Sequence, residues 1–464
     1  MEIDRHLQKY ALVHMGNDES YGLLFVATEL SKRGFSIKWF DGDCKDAVDK
    51  IAAWDPDFAL FSPLTVFFPQ SLCLSKNIKS RVGKVRCVFG GHHVSAVPEC
   101  LELDGVDAVV VGPVYGTIDK ISAGSGKQRI HGVPASPDEM IPSRRGYYEA
   151  IPRISRIRKT LMSHFGCVYN CSYCSTSRLR RYYGVEEYRR FWLKRRSPGR
   201  LIEEAKLFLE YPGKEVELAD DDVLMGNDAG EWLTEFSELW KKEINLPIYG
   251  YVSPLTALRA SDATLRTLSG LMTCVTMGVQ SAREESLKLF NRAFQSEEML
   301  KKAYDRLSFF GIQTRLDVII GLPVKDPVGD AIDTIKLAQR IAPGTCVICY
   351  PLMVYPGTDL YEWCVKNHVA FNEECSMEWH TGIGSIKFDD ETNRKLKNIK
   401  KLTTMFVRCN VSERWMRALM EMEMTEASSR KLSECQYYDS LRFRLGEEAV
   451  ADFDKILSGI DLKY

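Results

Sequence analysis

The chain has 464 residues, of which 45% are hydrophobic and 27% charged, and its formal net charge is −1. This is ordinary globular usage, long enough for two or three domains, and it offers no strong field to a polynucleotide or an anionic membrane. No apolar run reaches the length of a transmembrane helix, MEIDRHLQKYALVHM lacks the form of a signal peptide, and fourteen scattered cysteines read as reduced thiols, so a cytoplasmic protein is expected.

In chain order, YALVHM reads as a strand ending in a polar loop from Gly16 to Ser20. GLLFVATELSKRG then places Leu23, Leu24, Ala27 and Leu30 on one helical face and stops at Gly34. FSIKWFD is a strand, DAVDKIAAW a short helix, and FALFSP, VRCVFGG and DAVVVG are further strands. Strands alternating with helices predict a parallel, doubly wound sheet, so residues 1–135 are expected as one α/β domain. AGSGKQ in 123–128 is an ordinary loop, because a phosphate-binding loop needs a glycine at the place of Ile121 and Ser or Thr at the place of Gln128. Residues 136–156 are expected to link two domains.

From 157 the βα pattern resumes. IRKTLMSHFG, EVELA, LPIYGYV, CVTMGV, TRLDVIIGLP and VICYPL read as strands, with helices between them. One of these, PGRLIEEAKLFLEY, turns Leu201, Ile202, Ala205 and Phe208 inward. Six such units predict a barrel or partial barrel over 157–368, with ligands at the C-terminal strand ends. RRFWLKRRSPGR (189–200) is a basic stretch that reads as a solvated loop before a helix, or as a face for an acidic partner. Residues 369–464 are expected as a helical extension, with NRKLKNIKKLTTMFVRC amphipathic.

The loop after the first barrel strand holds CVYNCSYC, with Cys167, Cys171 and Cys174 spaced C-x3-C-x2-C. Three thiolates in this spacing fit one face of a [4Fe–4S] cubane and leave its fourth iron open to a ligand. A zinc site completed by His164 lacks the second ligand pair such sites carry. Cys346 and Cys349 lie on or beside the sixth strand, where an auxiliary cluster is the alternative to core packing, and Cys364, Cys375, Cys409 and Cys435 follow.

The triplet, with the aromatic Tyr173 before its last cysteine, resembles the radical S-adenosylmethionine (SAM) superfamily. That resemblance implies a partial TIM barrel in which the three cysteines ligate the cluster. The open iron then holds the amino and carboxylate groups of SAM, and reductive cleavage gives a 5′-deoxyadenosyl radical. Carried over residue by residue, Tyr173 contacts the adenine. Asp221 and Asp222, beside Asp220 at the end of the second strand, lie near the SAM amino group, although the Gly-Gly-Glu of many members is missing. In MGVQSAREESLKLFNR (277–292), Gln280 meets the ribose hydroxyls and Ser281 follows it, while Arg315 reaches the SAM carboxylate. IIGLP (319–323) and VYPGT (354–358) resemble the family's segments after strands five and six.

A flavodoxin-like domain ahead of such a barrel resembles the cobalamin (B12)-binding-domain subgroup. SPLTVF, VFGGHH and VVVGP match its switch-point loops in order, which implies cobalamin contacts at Ser62, Leu64, Thr65, Gly90 and Gly91. The D-x-H-x2-G motif that supplies a cobalt-ligating histidine is replaced by Asn17-Asp18-Glu19-Ser20, and His92 and His93 read as surface or capping residues. The expected activity is cobalamin-dependent methyl transfer to an unactivated carbon or phosphorus centre. The alternative is a non-methylating radical reaction: dehydration, dehydrogenation or ring closure. A methylthiotransferase fits less well, since Cys44, Cys73, Cys87 and Cys100 lie on separate elements. The expected partners are a small-molecule, lipid or tetrapyrrole-like substrate and a reducing protein such as flavodoxin or ferredoxin, with no nucleic acid.

Overall fold

The computed structural model of the protein describes residues 8–133, 135–213, 215–373 and 384–446. The chain forms two compact units; the first is built on the residues up to 159 together with 178–196 and 203–213, and the second on the rest of the chain.

In the first unit, β1 (Lys9–His14), β2 (Ser36–Asp41), β3 (Phe58–Phe61), β4 (Arg86–Phe89), β5 (Ala108–Val111) and β6 (Gln128–His131) form a parallel sheet in the order β2-β1-β3-β4-β5-β6. The middle strands are buried on both faces, as parallel strands covered by helices must be, so β3 and β5 read as unbroken apolar runs. Helix Tyr21–Lys32 buries Leu23, Leu24, Ala27 and Leu30, the face expected from its spacing. The sheet order reverses between β1 and β3, which sets a switch point beyond their carboxyl ends.

Some elements were not expected. Helix Phe68–Arg81 turns Phe68, Ser71, Leu74, Ser75 and Ile78 inward. Two of these are serines, which blur the apolar stripe in the sequence; Ser71 and Ser75 each donate to a backbone carbonyl, of Phe67 (2.8 Å) and Gly105 (2.5 Å). Strand β6 lies at the sheet edge and buries only Ile130 among its four residues. Within 136–156, the expected linker, Arg144, Tyr147 and Tyr148 are buried. In the basic stretch, Arg196 is buried and pairs with Glu204 at 2.8 Å, so this part of it is not a solvated face.

The second unit orders β7 (Lys159–Leu161), β8 (Val216–Leu218), β9 (Ile248–Val252), β10 (Cys274–Gln280), β11 (Thr314–Ile320) and β12 (Val347–Pro351) as β12-β11-β10-β9-β8-β7. With β7 and β12 at opposite edges this is a partial barrel. Helices Asp262–Leu271, Glu297–Phe309 and Pro327–Ile341 begin at Ser261, Ser296 and Asp326, whose side chains accept the N3 amide. Such caps contribute about 1 kcal/mol each. Helix Asp390–Arg408 lies along β12, where Thr404 donates to the Val347 carbonyl at 2.8 Å. Helix Glu426–Leu445 carries Arg444 to the N-terminal end of the barrel. There it forms two hydrogen bonds to Glu215, at 3.0 and 2.9 Å, and covers the Tyr249 ring. Cys375 lies outside the described residues. No described helix is long and apolar enough to cross a membrane.

Candidate functional site

The site is built on the carboxyl ends of the barrel strands. At the end of β7, the Asp220 carboxylate accepts the backbone N–H of Ser163 (2.6 Å) and of His164 (3.2 Å) and the Ser163 hydroxyl, and it faces His164 Nδ1 at 3.2 Å. Asp220 therefore fixes the direction in which the chain enters the cysteine loop. Ser172 holds the loop at its centre: its N–H donates to Phe290 O (3.2 Å), its hydroxyl to Leu289 O (2.5 Å), and its carbonyl accepts Leu360 N–H (2.8 Å). Leu360 is the second residue of helix Asp359–Lys366, capped by Thr358, which explains why the VYPGT turn belongs to the site.

On this loop Cys171 is buried, while Cys167 and Cys174 are half-buried. Burial and the Asp221 carboxylate push the Cys174 thiol up to about 11 and raise that of Cys167 as well. A metal centre must therefore displace protons from these thiols as it binds. Arg292, itself buried, directs Nη1 at Cys171 Sγ across 3.4 Å. Three sulfur donors on one loop with a guanidinium against one of them suit an anionic iron–sulfur cluster. In a cubane each thiolate meets a different iron, so the sulfurs need not converge on one point. Cys346 and Cys349 are each buried, and among the described residues no set of three Cys, His, Asp or Glu side chains converges on a single metal ion.

Tyr173 packs edge-on against Phe290 with ring centroids 4.7 Å apart. Together with Gln280, Asp317, Ile319, Tyr350 and Tyr355 it lines a cavity of about 230 Å³. Gln280 ends β10 at a register shift and has φ +67°, a left-handed conformation unusual for a side chain of this size. Its amide folds back over Gly278, where a Cβ would stand 2.5 Å from Gln280 Nε2. Arg315 and Asp317 share one face of β11, with Nε and Oδ1 3.5 Å apart, and neither of these atoms has a hydrogen-bond partner among the described residues. Burial raises the Asp317 carboxyl to about 6 against the pull of Arg315, and Arg315 stays charged.

Other expected residues hold the scaffold. Asp222 is buried and accepts Leu224 N–H (3.0 Å), Ser253 N–H (3.1 Å) and the Thr256 hydroxyl (2.8 Å), which ties β8 to the exit of β9. Ser281 is buried and donates to Asp330 at 3.1 Å, facing helix Pro327–Ile341. Asp221 is the member of the Asp220–Asp222 run whose side chain is open. It stands in a recess crowded by protein, and this crowding, with Asp220 and Asp222 beside it, raises its carboxyl to about 6. Sequence reasoning missed Arg292 and Asp317, although both lie inside the quoted motifs or next to one.

In the first unit, Ser62, Leu64, Thr65, Gly90 and Gly91 gather at the carboxyl ends of β3 and β4. A Cβ on Gly91 (φ +85°) would reach Ser62 Oγ at 2.5 Å, and one on Gly22 would reach it at 2.2 Å. Leu64 is exposed. Thr65 bonds His93 Nδ1 at 3.3 Å, and the His93 ring stacks on Phe68 at 4.0 Å. Burial lowers His93 to about 4, so its ring is neutral at pH 7, and its contacts with Thr65 and Phe68 make it a packing residue. After β5, a Cβ on Gly112 would stand 1.6 Å from the Tyr183 hydroxyl, a buried group with no hydrogen-bond partner among the described residues. These glycines let Ser62 and Tyr183 approach the backbone closely, and the unpartnered Tyr183 hydroxyl leaves a donor that a polar ligand could take. The loop that replaces the histidine motif is fixed from within the unit: Glu19 pairs with Arg144 at 2.8 Å and Asp18 with Arg158 at 2.5 Å.

Comparison with known families matches residues 15–121 to the B12 binding domain and residues 162–338 to the radical SAM superfamily. The chain carries a B12-binding domain and a radical SAM domain. The cofactor set of this domain pair is a [4Fe–4S] cluster, SAM and cobalamin. Among solved structures, the radical SAM methyltransferase TsrM from Kitasatospora setae with cobalamin and [4Fe–4S] cluster bound is 15% identical with a TM-score of 0.61, covering 79% of each chain. The same enzyme with tryptophan and a SAM analogue is 14% identical with a TM-score of 0.60, over 79% of this chain and 77% of that one. The cobalamin-dependent SAM radical enzyme OxsB with aqua-cobalamin bound is 12% identical with a TM-score of 0.64, over 97% of this chain and 75% of that one. At these identities the likeness is one of fold. No curated protein matches this chain.

Proposed function

We propose that the protein is a cobalamin-dependent radical SAM methyltransferase acting on an unactivated carbon or phosphorus centre of a small molecule. The observation that carries this reading is the cysteine loop, pinned by Asp220 and Ser172 at the barrel mouth and bordered by the cavity of Tyr173, Gln280 and Asp317. When bound, the cluster supplies the electron that cleaves SAM and cobalamin supplies a transferable methyl group. Cys167, Cys171 and Cys174 would ligate the cluster. Tyr173, Asp221, Gln280 and Arg315 would hold SAM, with Asp222 and Ser281 fixing the strand ends that present them. Ser62, Leu64, Thr65, Gly90 and Gly91 would hold cobalamin. A small flavodoxin or ferredoxin is the fitting reductant class, and a small organic molecule is the fitting substrate class.

The test is anaerobic reconstitution with iron, sulfide and hydroxocobalamin, removal of unbound cofactor, and analysis of SAM products. Stoichiometric cobalamin together with both S-adenosylhomocysteine and 5′-deoxyadenosine is expected. Cys167→Ala, Cys171→Ala and Cys174→Ala should each abolish 5′-deoxyadenosine. A cluster with no cobalamin, and 5′-deoxyadenosine alone, would favour the second reading, a non-methylating radical reaction. That reading is supported by Asp317, a cavity carboxyl raised to about 6 and therefore able to hold or release a proton near neutral pH.

A further inference from the structure

The basic stretch of the sequence has no part in the reaction described above. Residues 178–195 carry seven basic side chains and two acidic ones, in a chain whose formal net charge is −1. Helices Thr176–Tyr183 and Val185–Phe191 hold most of them and meet at Gly184, whose φ of +77° suits glycine. Tyr188 is buried, and the rings of Tyr183 and Tyr188 lie 5.6 and 6.4 Å from that of Trp192, so the pair is anchored on aromatic contacts. Glu186 and Glu187 stand in the first turn of the second helix, where its dipole favours acid. Arg181, Arg189, Arg190 and Lys194 are exposed. Among them Tyr182 is 44% and Val185 51% exposed, and the Tyr182 ring is held by stacking on His131 at 5.5 Å.

Arginine and tyrosine exposed beside an apolar side chain is the composition of a protein interface. Concentrated positive charge attracts an acidic partner and speeds its approach. The place in the chain selects the partner. The first helix begins two residues after Cys174, and the Ser177 hydroxyl donates to the Cys174 carbonyl at 2.9 Å. A helix rises only about 1.5 Å per residue, so the basic surface starts close to a cluster ligand. An electron carrier is the acidic partner that gains from this nearness. We propose that the surface of Arg189, Arg190 and Lys194, with Tyr182 and Val185, docks a small electron-carrier protein with an acidic face. One electron passes from the reduced carrier to the cluster; the carrier is oxidised by one electron, the cluster is reduced by one, and no bond forms or breaks. Encounters of this kind bury less than about 1,200 Å², so two short helices suffice. The inference rests on the radical SAM reading above and names the docking surface of its reductant.

The experiment follows cluster reduction in the reconstituted holoenzyme by stopped-flow absorbance, with a reduced flavodoxin of net negative charge and, separately, with dithionite. The flavodoxin rate constant should fall about tenfold from about 0.05 to about 0.5 M salt. Arg189→Glu, Arg190→Glu and Lys194→Glu combined should lower it about tenfold at the lower salt and flatten the salt dependence, while cluster content and the dithionite rate match wild type. The wild-type flavodoxin rate in this triple variant overturns the proposal. So does a wild-type rate that ignores salt, a result that needs no variant to fold, and so does a cluster that dithionite reduces and flavodoxin does not. A second readout is free of electron transfer: carbodiimide cross-linking of the wild-type chain to the same flavodoxin, mapped by peptide mass spectrometry. Lys194 should be linked to a flavodoxin carboxylate, and cross-links confined to other lysines overturn the proposal. A triple variant that loses affinity for a single-stranded RNA oligonucleotide but keeps the flavodoxin rate also overturns it, and gives the surface to a nucleic acid. A wild-type protein that takes up no cluster defeats the assigned function instead, and the cross-links still report on the docking surface.

Discussion

Gln280 holds a left-handed backbone that costs on the order of 1–3 kcal/mol in a residue with a Cβ, and it does so at the rim of the cavity. Gly278 makes this possible by leaving room for the Gln280 amide. Gly278→Ala should therefore weaken SAM binding about tenfold, on the order of 1.4 kcal/mol, and leave cluster absorbance unchanged; equal affinity in calorimetry would remove Gln280 from the SAM site. Asp317 gives a pH signature. Its carboxyl is raised to about 6 in the fold, so as pH rises the unfolded chain releases this proton first. The stability that the protonated group contributes is complete below about pH 3.9 and is lost on the way to about pH 6, by up to about 3 kcal/mol. Asp317→Asn should lack that component when melts of the cofactor-free protein at pH 4.5 and 7 are compared with wild type. The cysteines were legible because cluster ligation demands a fixed spacing. Arg292 was not, because its partner is 121 positions away and an arginine at the end of a helix reads as solvated.

At the scale of elements, the strand exits decide which residues are available to a ligand. Asp221 and Asp222 are neighbours in sequence and opposite in use, since the second ties β8 to Ser253 and Thr256 while the first stays open. Asp222→Ala should cost about 2–3 kcal/mol in urea unfolding, because it strips a buried group of charge-assisted bonds. Asp221→Ala should stay within about 0.5 kcal/mol and act on SAM binding instead. Equal losses of stability in the two variants would contradict this division. Strands and capped helices were readable because their signals are local: apolar runs closing on glycine, and Ser or Asp at the start of a periodic stretch. Helix Phe68–Arg81 and strand β6 were not. The first hides its stripe behind serines satisfied by carbonyls, and the second is a short polar edge strand.

At the scale of the second unit, Arg444 and Glu215 close the N-terminal end of the barrel with a buried pair, 8% and 2% exposed. Arg444→Met alone strands a buried carboxylate and should cost about 3–5 kcal/mol, whereas R444M combined with Glu215→Leu should recover most of that loss in the same unfolding assay. The two partners lie 229 positions apart. Contacts this distant in sequence form late, after the entropy of closing so long a loop has been met. During synthesis the cysteine loop leaves the ribosome well before the residue that seals the floor beneath it. The floor of the second unit therefore closes only after the residues for its metal centre are already made.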